Sequence, residues 1–409
     1  MPKRFLGKTV FEAARERLDL IFSSFPKVYL SFSGGKDSGV LFHMAADSAR
    51  KHGKTFGVLF IDLEAQYAHT IAHIRRMTQE YADCTRLYWV CLPLALRNAV
   101  SVYQPKWMCW DEDARDAWVR HPEPGAVTDQ DALPFFERGM EFEDFTPKFG
   151  DWYSQGMPTA CLVGIRAAES LNRFRAIANR KKETFLGKQW TTRLWKTTVY
   201  NAYPLYDWKT EDIWTYYGKE KRDYNRLYDL MHMAGLSIHQ QRICQPYGDD
   251  QRKGLWLYHI IEPETWARIV ARVSGVNSGA EFVQYNGNVS GQVKISKPDG
   301  HTWQSFCHML LESMPPHMEE HYKNKIFVFL RWYEARGYKA IPDEADPRQE
   351  AKREVPSWRR IAKMLLRNDY WAKGLSFSQT KHGYFYDAYM RRIKKERECR
   401  RKTGLNAIL

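Results

Sequence analysis

Residues 28–38 read Val28-Tyr29-Leu30-Ser31-Phe32-Ser33-Gly34-Gly35-Lys36-Asp37-Ser38: an apolar run, a turn of serine and glycine, and the opening of a stretch with helical periodicity. Strand, tight turn and helix in that order are what a phosphate-binding loop requires. Adjacent glycines admit positive φ and let main-chain N–H groups approach a polyanion, while a helix starting near Asp37 directs its positive dipole end at the same place. The loop is not a Walker A motif, which spaces four residues between its glycines and closes on Gly-Lys-Ser/Thr. The stretch predicts a nucleotide site near the start of the chain.

Working outward, Val40, Leu41, Met44, Ala45 and Ala49 fall at helical spacing and Gly53 supplies a stop. Residues 55–61 read as a buried strand, Asp62-Leu63-Glu64 as the turn after it, 68–81 as a helix and 87–92 as a third strand. This alternation predicts an α/β fold: a parallel twisted sheet with helices on both faces, its ligands beyond the carboxyl ends of the strands, where Ser33 and Asp62 stand. Between 104 and 158 the pattern gives way to Trp107, Trp110, Trp118 and Trp152 among acids and prolines, an acidic, Trp-rich insert. Residues 160–163 restore the strand pattern and Gly164 to Arg173 open another helix. A β-like stretch over 191–206 leads into a helix over 209–217 with Thr210 as its expected cap. The remainder reads as a mostly helical, basic C-terminal domain, with a hairpin expected over 293–303 that turns at Pro298-Asp299-Gly300. The expected division is therefore 1–217, including the insert, and 218–409.

The chain has 409 residues, with 15 Trp, 23 Tyr and 21 Phe, enough for two or three domains with substantial cores. No run of about 18 apolar residues occurs and the N-terminus lacks an apolar signal core, so a cytoplasmic protein without a membrane segment is expected. Seven dispersed cysteines, none in a Cys-x-x-Cys pair, read as reduced thiols and offer no iron-sulfur or zinc spacing. The formal charge of +14 is unevenly spread: residues 111–151 hold twelve acids against four Lys or Arg. Cations interleave with aromatics in Arg173 to Lys196, beside Trp190 and Trp195. They do so again from Lys352 onward, with Arg359, Arg360, Lys363 and Arg367 and then Arg391 to Lys402. Such tracts suit DNA or RNA, or are solvated helix faces.

Four segments in order carry a resemblance. Ser33-Gly34-Gly35-Lys36-Asp37-Ser38 resembles the pyrophosphate loop of the N-type ATP pyrophosphatases and of the 3′-phosphoadenosine-5′-phosphosulfate (PAPS) reductases. Asp62-Leu63-Glu64 stands at that family's Asp-Thr-Gly turn. Gly164-Ile165-Arg166 with Glu169-Ser170 and Arg173 is similar to its Gly-Ile-Arg-x-x-Glu-Ser-x-x-Arg element. Pro204 to Trp208 with Asp212-Ile213-Trp214 is similar to its Pro-Leu-x-Asp-Trp-x-x-x-Asp-Ile-Trp segment. The PAPS reductase-like subgroup with a C-terminal DUF3440 extension covers nearly the whole chain.

The resemblance implies an adenine nucleotide α-hydrolase-like fold and an enzyme acting at the α-phosphate of ATP or PAPS, releasing pyrophosphate and adenylating an acceptor. Ser31, Ser33, Gly34, Gly35, Lys36, Asp37, Ser38, Asp62, Glu64, Gly164, Arg166 and Glu169 are the implied nucleotide-binding set. Asp37, Arg166 and Arg173 are the implied catalytic set, the two arginines as guanidinium forks on phosphate, and Arg242, in the turn-rich polar stretch 241–250 that suits a loop over the site, joins them as a phosphate candidate. Glu169 either orients one of these arginines or merely pairs with Arg173 on a helix surface. Asp37 and Asp62 are Mg²⁺ candidates or helix caps. Asp207 and Trp208 read as a cap and a packing residue, and Cys244 as a small packed side chain. A ParB/sulfiredoxin-like protein partner is also implied. The reductases' Glu-Cys-Gly-Leu-His motif is absent, because the chain reads Glu398-Cys399-Arg400-Arg401-Lys402. Two other readings stand beside the first: a PAPS reductase with Cys399 as nucleophile, and a nucleotide-sensing, nucleic-acid-binding regulator without turnover.

Overall fold

The computed structural model describes residues 7–101, 104–248, 254–273, 295, 297–314, 316–352, 355–367 and 369–377. The chain forms two compact units. One comprises residues 1–96, 108–246 and 254–272; the other comprises 97–107, 247–253 and 273–409.

The first unit is built on a six-stranded sheet. Its elements in chain order are α1 (Val10–Ser24), β1 (Lys27–Ser31), α2 (Lys36–Lys51), β2 (Phe56–Ile61), α3 (Ala68–Glu80) and β3 (Thr85–Val90). Short strands β4 (Ala95–Arg97) and β5 (Lys106–Met108), of which residues 97, 106 and 107 belong to the other unit, precede α4 (Phe142–Ser154), β6 (Thr159–Val163), α5 (Leu171–Ala178), β7 (Thr191–Arg193) and β8 (Val199–Ala202). The helices α6 (Thr210–Glu220), α7 (Leu227–Met233), α8 (Leu255–Ile261) and α9 (Pro263–Arg272) follow. The strand order is β3-β2-β1-β6-β8-β7, parallel except for β7. Every residue of β2 is buried, as expected of a central parallel strand covered on both faces. Helix α1, which the periodicity did not announce, begins in a capping box: Glu12 N–H donates to Thr9 Oγ1 and Thr9 N–H to Glu12 Oε2.

Order and direction locate the ligand position. From β1 the chain moves outward to β2 and β3, then returns on the other side of β1 to lay down β6. The crevice beyond the carboxyl ends of β1 and β6 is thus the switch point where doubly wound sheets bind ligands.

The insert packs through its aromatics. The indoles of Trp110 and Trp118 meet edge to face at 5.4 Å, and Phe145 and Phe149 of α4 are buried, with Tyr88 on β3 edge-on to Phe149. Two sequence expectations change here. Thr210 does not cap α6; Lys209 holds the cap position and its N–H donates to Asp212, which frees the Thr210 hydroxyl for Arg166. Asp207 is no cap either, since Arg17 of α1 takes it with two bonds of 2.8 and 2.6 Å. Trp208 does pack, with its indole N–H on the Val10 carbonyl.

The second unit contains α10 (Trp303–Glu312), α11 (Pro316–Glu334), α12 (Pro347–Lys352) and α13 (Trp358–Leu366) around a core that includes Trp303, Phe306, Tyr322, Ile326, Phe329, Trp358, Ile361 and Leu365. The expected turn at Pro298-Asp299-Gly300 forms, with Gly300 at φ +82°. The residues after it, however, are helix rather than strand, because Thr302 caps α10 and Asp343 accepts from the Trp303 and Gln304 amides. Of the other arm of that hairpin, residues 293, 294 and 296 lie outside the described residues. No described helix is long and apolar enough to cross a membrane.

Candidate nucleotide site at the β1–β6 switch point

The loop departs from β1 after Ser31, the last residue laddered between Leu59 and Val163. Gly34 takes φ +70°, and a Cβ there would lie 2.9 Å from Thr70 Cγ2, so the position requires glycine for both reasons. The Ser33 and Ser38 hydroxyls are 3.0 Å apart, Ser38 Oγ bonds the Gly35 carbonyl, and Gly35 N–H leans on Ser33 Oγ. The serines thus brace the turn. The first amides of a helix have no intrahelical acceptor. Gly39 is the first of α2 to reach back, to the Gly35 carbonyl, while Lys36 N–H donates to the Tyr228 hydroxyl at 2.9 Å.

The loop after β6 closes on this helix start. A Cβ on Gly164 would stand 3.0 Å from Ser38 N and Cα. Two residues on, Arg166 places Nε 2.5 Å from Asp37 Oδ1 and an amino group 3.3 Å from Thr210 Oγ1. Glu169 joins both expected arginines: it accepts from the Arg166 amide at 3.1 Å and pairs with the Arg173 guanidinium. Arg166 is nearly buried, whereas the Arg173 side chain is 43% exposed.

Lys36 points inward. Its Nζ lies 3.1 Å from the Gln241 carbonyl and 3.6 Å from Asp37 Oδ2. Burial lowers its pKa; Asp37 pulls it back up, and the positive charges of Arg166 and Arg242 push it down. Lys36 and Arg166 therefore meet beside the helix start, both against Asp37. The carboxylate of Asp37 offsets them through direct contacts with Lys36 and Arg166, and Glu169 Oε1 lies 3.9 Å from the Arg166 guanidinium.

Asp62 and Glu64 occupy a different environment. Both are fully buried. Asp62 accepts from Trp89 Nε1 at 2.8 Å, from the Glu64 amide at 3.0 Å and from Arg120. Glu64, at φ +65°, accepts from the Trp110 and Val119 amides and from Arg272. These carboxylates tie the insert and α9 to the end of β2. Asp37 and Asp62 thus do not present two open carboxylates to one cation, and among the described residues no three His, Cys, Asp or Glu side chains converge as metal ligands.

The basic tracts are partly internal. Trp190 is buried, Lys182 Nζ bonds the Ala176 and Gln189 carbonyls, and Arg360, 5% exposed, is held by the Gly374 and Val355 carbonyls. Trp195 is exposed, with Lys196 Nζ 4.1 Å above it. Cys399 and Arg391 to Lys402 lie outside the described residues.

Residues 27–234 match the phosphoadenosine phosphosulfate reductase domain, and residues 235–345 match a domain of unknown function, DUF3440. The uncharacterized protein YbdN of Escherichia coli (strain K12) is 46% identical over 395 residues, 96% of either chain. The chain belongs to the phosphoadenosine phosphosulfate reductase domain family. Another relative, the uncharacterized protein MJ0066 of Methanocaldococcus jannaschii, is 27% identical over 206 residues, 49% of this chain and 33% of that protein. Among solved structures, the phosphoadenylyl-sulfate (PAPS) reductase from Candida auris in its phosphate complex aligns with 56% of this chain and 95% of its own, at 16% identity and a TM-score of 0.32.

Within this reductase-family domain fall the loop, Arg166, Arg173 and Tyr228; Gln241 and Arg242 come from the DUF3440 stretch. The motifs that identify the reductase family pointed to the loop and to the Gly164–Arg173 element. They gave no sign of Tyr217, Asn225 or Tyr228, which reach the loop through one hydroxyl or amide each. Single polar tips from a helical stretch carry no spacing signature.

Proposed function

We propose that this member of the reductase family is an enzyme acting at the α-phosphate of an adenine nucleotide, ATP or PAPS, and that with ATP it releases pyrophosphate and adenylates an acceptor. The observation that carries the reading is the convergence of Lys36 and Arg166 on the first turn of α2 at the switch point, both against Asp37. Charge at an α-phosphoryl centre spreads over its oxygens and the departing pyrophosphate, so catalysis there is chiefly positioning and cationic stabilisation. Main-chain amides of the loop hold the pyrophosphate portion, and the Arg166 guanidinium, already locked by Asp37 and Thr210, meets the α-phosphoryl oxygens. Mg²⁺ enters as part of the substrate, MgATP, because Asp62 is saturated by protein donors.

The test is product analysis with MgATP and, separately, with PAPS. AMP and pyrophosphate from ATP, reduced about tenfold or more in Ser33→Ala with folding intact, is the expected result. ADP and phosphate, or no turnover and no nucleotide binding, would overturn it.

A further inference from the structure

The main-chain N–H of Lys36, the first of α2, is received by a residue 192 positions away. Tyr228 is 3% exposed, and its hydroxyl oxygen lies within 3.4 Å of where a Cβ on Gly35 would stand. Lys36 Nζ sits 5.3 Å from its ring centroid. The Trp214 indole packs edge-on against the phenol at 5.5 Å, and neighbouring residues hold the turn facing it: Asn225 Nδ2 donates to the Gly34 carbonyl at 3.1 Å, and the Tyr217 hydroxyl donates to the Lys36 carbonyl at 2.8 Å. The oxygen of Tyr228 is thus held at the mouth of the phosphate-binding turn.

A phenol accepts through its oxygen and donates one proton. The acceptor function is used by Lys36, and among the described residues no protein acceptor takes the proton. Burial raises the pKa of the phenol, the bond from the Lys36 amide opposes, Asp37 and Cys244 raise it further and Arg166 opposes again, with a net rise, so the group keeps its proton at neutral pH. A neutral hydroxyl that receives a helix amide is polarised to donate more strongly to the next acceptor in line.

Resting on the nucleotide reading above, we propose that Tyr228 is a phosphate-binding residue, whose hydroxyl donates to an oxygen of the phosphate chain at the loop while still receiving the Lys36 amide. It extends the positive end of α2 by one hydroxyl. The opposite arrangement, in which the hydroxyl blocks the amide until phosphate displaces it, predicts the reverse change in affinity.

Titration calorimetry of the full chain with inorganic pyrophosphate and with MgATP separates the two. Tyr228→Phe is expected to weaken both ligands about tenfold or more while the melting temperature stays within a few degrees. Affinity that is unchanged or tighter in Tyr228→Phe overturns the proposal. Because the lost hydroxyl also leaves the Lys36 amide bare, 3-fluorotyrosine at position 228 provides a second arm. Its more acidic phenol should bind at least as tightly as the native residue, and weaker binding would also count against donation. If the native chain itself takes up neither pyrophosphate nor ATP, the nucleotide reading of the loop fails and this proposal with it, an outcome distinct from a defect confined to the variants.

Discussion

Arg166 Nε lies 2.5 Å from Asp37 Oδ1 and bolts the loop after β6 to the first turn of α2. Both side chains are largely buried, Arg166 at 4% and Asp37 at 15% exposure. Removing Arg166 leaves Asp37 with Lys36, at 3.6 Å, as its neighbouring cation and strips it of a charge-assisted hydrogen bond, which costs about 1.5–3 kcal/mol. Arg166→Ala should therefore lower the denaturant midpoint and abolish turnover together. Arg166→Lys, which supplies charge without the fork that reaches Asp37 and Thr210, should recover part of the stability and little of the activity. Equal rescue of both would mean that charge alone matters at this position.

Gly164 and Gly34 make a matched pair of steric tests. A methyl at 164 meets backbone, Ser38 N and Cα at 3.0 Å, which cannot rotate away; at 34 it meets Thr70 Cγ2 and also inherits φ +70°. Overpacking of this kind costs about 1–3 kcal/mol. Gly164→Ala should push the β6 loop off the helix start, weakening nucleotide binding more than stability. Gly34→Ala should lose both. Thermal melts beside pyrophosphate titrations distinguish them.

How much of this was legible beforehand follows from the range of each signal. The strand-turn-helix of residues 28–51, the alternation through β3 and the Gly164–Arg173 element depend on residues close in sequence, and the structure places them as the pattern implied. The closing of the site depends on single long-range contacts. Tyr228 to Lys36, Gln241 to Lys36 and Arg17 to Asp207 each span well over a hundred residues and involve one or two polar atoms on an ordinary helix or loop. The same limit explains Asp62 and Glu64. Carboxylates at a strand end look alike in sequence whether they face a cation or, as here, the indole N–H of Trp89 on β3, the Trp110 and Val119 amides and Arg120 of a folded-back insert, and Arg272 of α9.

From that environment comes a prediction about Asp62. Asp62→Ala would leave the Arg120 guanidinium, 16% exposed, and the Trp89 N–H without their acceptor. A loss of about 3–5 kcal/mol in unfolding free energy is expected. The dependence of turnover on Mg²⁺ concentration in the milder Asp62→Asn should follow the native curve. A rightward shift of that curve would instead make Asp62 a cation ligand.

Acid should weaken the fold through buried histidines. His43 is fully buried; its Nε2–H donates to the Asp223 carbonyl at 2.8 Å, and in the neutral ring its Nδ1, 2.6 Å from the Tyr81 hydroxyl, accepts from it. Burial lowers its pKa to about 4, with Arg222 and His73 adding repulsion and the Asp223 carbonyl opposing. Burial likewise takes His321, in the second unit, to about 4. The unfolded chain, with histidine near 6.5, binds more protons than the folded one between those values. Stability from His43 is therefore complete above about pH 6.5 and drains away as the pH falls towards 4, by about 2–3 kcal/mol at pH 4.5. Asp223, held at about 2 by His73 and Arg76 although burial alone would raise it, contributes its own loss only below the ordinary carboxylate range near 3.8. Chemical denaturation at pH 7.5 and pH 4.5 measures the difference, and His43→Gln should shrink it by the His43 share. An undiminished difference in that variant would assign the acid sensitivity to other groups.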